Sequence, residues 1–110
     1  MNKIRLVVNN EAKEKEKFFI KKELQSILNL YAKMVSNGSW KDYGLAISSK
    51  KVTFSVFKNA AENAVYKICK TFKPINRNLK YSITDSNGKI INNSSSLENL
   101  ILRTKWKKIK

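Results

Sequence analysis

Trp40-Lys41-Asp42-Tyr43-Gly44-Leu45-Ala46-Ile47-Ser48-Ser49-Lys50-Lys51-Val52-Thr53-Phe54-Ser55-Val56-Phe57 is the stretch on which the fold turns. Tyr43, Leu45 and Ile47 alternate with Asp42, Gly44 and Ala46, a period of two that predicts a strand. Ser48-Ser49-Lys50-Lys51 is polar and short, which predicts a turn. Val52, Phe54 and Val56 then alternate with Thr53, Ser55 and Phe57 in a second strand. Two strands joined so closely pair antiparallel, because a parallel pair needs a crossover of a dozen residues or more.

Upstream the period is helical. Ile20, Leu24, Ile27, Leu28, Tyr31, Met34 and Val35 recur at the spacing of one helix face, and Lys21, Lys22, Gln25, Asn29 and Lys33 fall opposite. Asn37-Gly38 supplies the left-handed stop. Before this helix, residues 1–17 read as a flexible or partly helical arm with alternating charge, Glu11-Ala12-Lys13-Glu14-Lys15-Glu16-Lys17. Residues 18–110 read as a single domain, as expected at this length.

Downstream the period of two returns. A looser turn at 59–63 precedes a third strand over 65–72, with Tyr66 and Ile68 facing the core. Pro74, the sole proline, stops it. Leu79, Tyr81 and Ile83 predict a fourth strand, and Asn87-Gly88 a two-residue type I′ turn into a short strand over 89–91. Ser95 with Glu98 forms a capping-box pattern that starts a last helix. Leu97, Leu100 and Ile101 face inward, and Trp106 and Ile109 extend that side. The expected fold is α+β: an N-terminal helix, an antiparallel meander of four to five strands, and a C-terminal helix, with both helices on one sheet face and the other face open and polar.

Residues 1–110 are 42% hydrophobic, enough to fold, with no run approaching the ~18 apolar residues of a membrane span. Met1–Asn9 contains a short apolar run without the longer apolar region and cleavage site of a signal peptide. Cys69 stands alone and cannot form an internal disulfide. A cytoplasmic protein without membrane attachment is expected.

The chain carries no catalytic or metal-binding pattern. It has no histidine and one cysteine, which removes the commonest general base and any ordinary zinc site. Asp42, Glu62, Asp85 and Glu98 are scattered over a strand, two turns and a helix start, and Asp42 alone lacks an evident structural task. Gly38, Gly44 and Gly88 are too far apart for a phosphate-cradling loop. No enzyme activity, cofactor or metal is expected.

Charge is the informative feature. Twenty-three Lys and Arg against 8 Asp and Glu leave +15, a field that attracts phosphate-bearing partners. Residues 40–110 hold 13 Lys and 2 Arg against 4 acids, +11, and residues 1–39 hold the remaining +4. Arginine occurs only at Arg5, Arg77 and Arg103, so part of the lysine excess has the character of an A/T-rich genome, although that bias does not explain the scarcity of acids. The basic residues fall in three groups: Lys67, Lys70 and Lys73 leading to Arg77 and Lys80; the tail Arg103, Lys105, Trp106, Lys107 and Lys108; and Lys50-Lys51 at a strand turn. Phe57, on the open face, and Trp106, among cations, are candidates to stack bases. Few arginines means little bidentate base readout.

The stretch from about Phe19 onward resembles a small bacterial family of uncharacterised proteins, a domain-of-unknown-function group. The residues that carry the resemblance are Glu23-Leu24 with Ile27-Leu28 and Tyr31, Trp40-Lys41-Asp42-Tyr43, Phe54-Ser55-Val56-Phe57 and Tyr66-Lys67-Ile68. Ala32 replaces a glycine of the family pattern, and arginines are fewer here. The resemblance implies a bacterial cytoplasmic protein, directs attention to Asp42, and implies no activity. The functional expectation is a non-catalytic module for RNA or single-stranded DNA with weak sequence selectivity. The alternative is a protein-interaction domain, for instance a homodimer joined through exposed sheet edges.

Overall fold

The computed structural model describes residues 17–59 and 63–107. The charged arm expected before residue 17 therefore lies outside the described residues, as do most of the turn at 59–63 and the tail residues Lys108 and Ile109. The elements follow in the order α1 (Lys21–Ser36), β1 (Asp42–Ile47), β2 (Lys51–Phe57), β3 (Tyr66–Thr71), a 3-10 turn (Arg77–Leu79), β4 (Tyr81–Thr84), β5 (Ile90–Ser94) and α2 (Leu97–Arg103). The five strands form one antiparallel sheet in sequence order, so the expected α+β meander is what the chain adopts. Among the described residues no helix is long and apolar enough to cross a membrane.

Strand alternation sorts the sheet into two faces. Val52, Phe54, Val56, Tyr66, Ile68, Tyr81 and Ile83 point inward and join Ile27, Leu30 and Met34 of α1 and Leu97 and Leu100 of α2 in one core. Both helices thus cover the same face. Trp40 closes the core at one end, with its ring edge-on to Tyr66 and Trp106 at centroid distances of 6.2 and 5.7 Å.

Several local expectations change. The helix α1 buries Glu23, Ile27, Leu30 and Met34, whereas Ile20, Leu28 and Val35 stay largely exposed. The apolar arc read from the sequence is wider than the stripe the sheet can cover, and tertiary packing selects part of it. The Asp85–Lys89 connection is a three-residue loop, because the Asp85 N–H donates to Lys89 O at 2.9 Å. Asp85 Oδ1 accepts the N–H groups of Asn87 and Lys89 and so favours this longer turn over the two-residue one. Gly88 closes this loop at a φ of 81°, where glycine is strain-free.

The cap of α2 is Ser96, whose Oγ accepts the Asn99 N–H at 3.3 Å, one residue later than the capping-box reading. That placement puts Leu97 and Leu100 both on the core side. The helix then ends at Arg103. Thr104 is extended, and its hydroxyl donates back to Leu100 O, so Trp106 returns to the core from a loop and not from a longer helix. Last, β5 is longer than expected and carries a bulge opposite Ile83/Thr84.

Phe54 is fully buried and stacks on Tyr43 at 5.1 Å, with Tyr31 edge-on at 6.0 Å. Phe54→Ala removes the central ring of this packing and is expected to cost about 3–5 kcal/mol, read as a lower urea midpoint at unchanged slope.

Candidate functional site

The face of the sheet without helices is built from small polar side chains. The register aligns them in rows: Ala46, Thr53, Cys69, Ser82 and Asn93 in one; Gly44, Ser55, Lys67 and Thr84 in the next. Lys51 pairs with Thr71 at one end, and Phe57 pairs with Asp42 at the other. Most of these residues are half-exposed, Lys67 and Lys51 are exposed, and Cys69 is covered by its neighbours, with Sγ 3.6 Å from Thr53 Oγ1. The Phe57 ring lies across Gly44: a Cβ there would sit 3.7 Å from the ring.

The loops at the Lys51 end add charge. The Phe72 N–H donates to Lys50 O at 2.9 Å, which ties the β1–β2 turn to the start of the β3–β4 loop. Lys50, Lys51, Lys73 and Arg77, all exposed, are therefore gathered at one end of the sheet. Lys80 is half-buried at the same end, with its ammonium 5.7 Å from the centre of the Tyr81 ring.

Other sequence candidates are not part of this surface. Lys70 was expected to contact phosphate and instead is 0% exposed. It shares the inward parity of Tyr66 and Ile68, and its ammonium donates to Glu23 Oε1 at 2.8 Å and to Phe18 O at 3.1 Å. Trp106 cannot serve as a stacking platform, because its ring packs edge-on against Tyr66 at 5.0 Å and its Nε1–H donates to Ile101 O. Arg103 spends its guanidinium on Asn93 O at 2.7 Å and Asn92 Oδ1 at 3.4 Å. Lys105 and Lys107 are exposed at the opposite end, where the Lys107 N–H donates to the Tyr66 hydroxyl. Lys108 lies outside the described residues.

Two features escaped the sequence reading. The first is a buried polar cluster: Glu23 accepts from Lys70, from the Tyr81 hydroxyl and from the Ile20 N–H. Burial pushes the Glu23 carboxyl upward, and the hydrogen bonds from Lys70, Tyr81 and Ile20, with the Lys70 charge, outweigh it, so the group sits below the ordinary glutamate value. The alternation Tyr66, Ile68, Lys70 was the available signal for it. The second is the role of Asp42, whose carboxylate is exposed and accepts the neighbouring Tyr43 N–H at 2.9 Å. Burial first, then the Asp42 charge, raises the Tyr31 phenol.

A groove of about 560 Å³ runs between α1 and α2 over Leu30, Met34 and Trp106, with Lys33 and Glu98 at its rim. Among the described residues no three Cys, Asp or Glu gather where a metal ion could sit.

A family profile described as "Protein of unknown function (DUF2794)" matches residues 17–101, and the chain belongs to that family. No curated protein and no solved structure matches it.

Lys70→Met leaves the Glu23 carboxylate buried without its counter-charge and is expected to cost about 3–5 kcal/mol, most of which returns in the double variant Glu23→Leu/Lys70→Met. Because the folded Glu23 value lies below the unfolded one, its contribution is complete above the ordinary 4.5 and fades as pH falls through the lower folded value. Glu23→Gln accordingly lowers stability at neutral pH and flattens the acid limb of a stability–pH curve measured by urea unfolding.

Proposed function

We propose that this member of the family is a non-catalytic nucleic-acid-binding module that lays RNA or single-stranded DNA over the open sheet face, with little sequence selectivity. One observation carries the reading: an uncovered sheet of hydroxyl and other small side chains bears Lys51 and Lys67, and the exposed cations Lys50, Lys73 and Arg77 border it at one end. Among the described residues, Asp42, at the edge, is the one carboxylate that strand alternation puts on this face. Small side chains let a sugar–phosphate backbone come close, and the lysines neutralise it with release of counterions. Phe57, half-exposed at the far end of the same face, offers one ring for a base. Lysine point charges favour backbone contact over base-edge readout.

The lysine sorting in the fold narrows the candidate set. Lys70 and Trp106 leave it, and Lys105 and Lys107 form a separate cationic group at the Tyr66 end. We assign the protein to a bacterial cytoplasm, a reducing compartment that suits a lone, buried thiol at Cys69.

Fluorescence anisotropy with labelled single-stranded RNA and DNA tests the proposal. Binding is expected at low salt and falls steeply as salt rises. Lys50→Gln/Lys51→Gln/Lys73→Gln lowers the slope of log affinity against log salt by about 2, since each phosphate contact to a single strand contributes about 0.7. An absence of binding at low salt, or a slope indifferent to these lysines, refutes the assignment.

A further inference from the structure

The two edges of the sheet are treated differently. The β5 edge is bulged, its second half is the polar run Asn92-Asn93-Ser94, and the Arg103 guanidinium covers it by donating to Asn93 O at 2.7 Å. These are ordinary ways of blunting an edge strand. The β1 edge has none of them. Asp42–Ile47 contains no lysine, in a chain with 20, no proline and no bulge within its run of six paired residues.

Its backbone is oriented for pairing. The Ser48 N–H donates to Lys51 O at 2.9 Å, which sets the parity of the β1–β2 ladder. Ala46 and Gly44 therefore turn their peptide groups toward β2, and Tyr43, Leu45 and Ile47 turn theirs to the open edge. The side chains of those same three residues lie on the inner face yet remain 46%, 44% and 60% exposed. The flank of α1 above them is apolar as well. Leu28 and Val35 are 42% and 39% exposed and share a stripe with Tyr31, whose ring meets Tyr43 at 5.2 Å.

We infer that a second copy of this chain docks on the β1 edge, antiparallel about a two-fold axis at Leu45, to give a continuous ten-stranded sheet. This inference does not depend on nucleic-acid binding. The strand is self-complementary in that arrangement. Leu45 faces the second copy's Leu45, Tyr43 faces its Ile47, and Ile47 faces its Tyr43. Four interchain hydrogen bonds form from the Leu45 and Ile47 N–H groups without disturbing the Asp42–Tyr43 contact. Across the seam Asp42, the sole acid of the edge, falls opposite the second copy's neutral Ser48, so no like charges are brought face to face.

Size favours the same occupant. Leu28, Val35, Tyr43, Leu45 and Ile47 are each about half open, so ten such side chains at roughly 100 Å² each, with two edge backbones, approach the roughly 1,200 Å² of a small specific interface. A basic partner is opposed at long range by the net +15. Dimerisation therefore strengthens as salt screens that repulsion, the reverse of polyanion binding.

Sedimentation velocity on the full chain, from micromolar to near-millimolar concentration and in low and high salt, tests this. The expected mass is twice 12.7 kDa, with the dimer favoured by salt. Leu45→Lys and, separately, Ile47→Lys each raise the dissociation constant roughly tenfold or more by placing cations at the edge, and both side chains are open enough in the monomer for the fold to persist, as far-UV circular dichroism verifies. Leu102→Lys, at an 82% exposed apolar position on α2, leaves the dimer intact. A wild-type monomer at the highest concentration overturns the inference, as does a dimer that survives both β1 variants. Loss of nucleic-acid binding in the lysine triple variant with an unchanged mass separates failure of one reading from failure of the other.

Discussion

A glutamate and a lysine removed from water sit where α1 meets the sheet, and much of the remaining structure follows from them. Glu23 and Lys70 lie 2.8 Å apart, with Tyr81 and the Ile20 N–H bonded to the same carboxylate and Phe18 O accepting from the ammonium. Dehydrating two ions costs several kcal/mol each, and only a full set of partners offsets that cost. The partners come from the chain before α1, from α1, from β3 and from β4. The cluster therefore forms only when all four are in register, which makes it a device for specifying one arrangement as much as for stabilising it.

One consequence concerns the rotation of α1. Glu23 has to face Lys70, so the buried stripe runs through Glu23, Ile27, Leu30 and Met34. The rest of a broad apolar arc, Leu28 and Val35 included, is left beside β1. Purely apolar packing would tolerate a helix turned to centre that arc on the core. The ion pair holds it off-centre, and an open apolar strip along one sheet edge is the result. The apolar β1 edge and the buried charge pair are in this sense two sides of one packing choice.

The other consequence concerns charge. A lysine-rich sequence invites the sum of its cations to be read as a binding surface, yet the fold sorts them. Lys70 is internal, Arg103 guards the β5 edge, and Lys50, Lys51, Lys73 and Arg77 gather at one end because a backbone hydrogen bond joins their loops. Lys67 remains on the open face. The polyanion reading rests on that sorted set.

Periodicity in the chain was enough for the element order, the antiparallel pairing and the helical face in outline, because spacings of 2 and 3.6 residues are local properties of the backbone. Asn37-Gly38 and Pro74 marked true boundaries for the same reason. The same strand parity, through Tyr66 and Ile68, carried the signal that Lys70 points inward, but the charge-based reading set Lys70 among the phosphate contacts instead. Three matters were beyond local reading: how far α1 rotates, which edge stays bare, and whether Trp106 faces solvent or Trp40. Each depends on which distant groups are available as partners. A carboxylate 47 residues away decides the environment of Lys70, and no local pattern contains that distance.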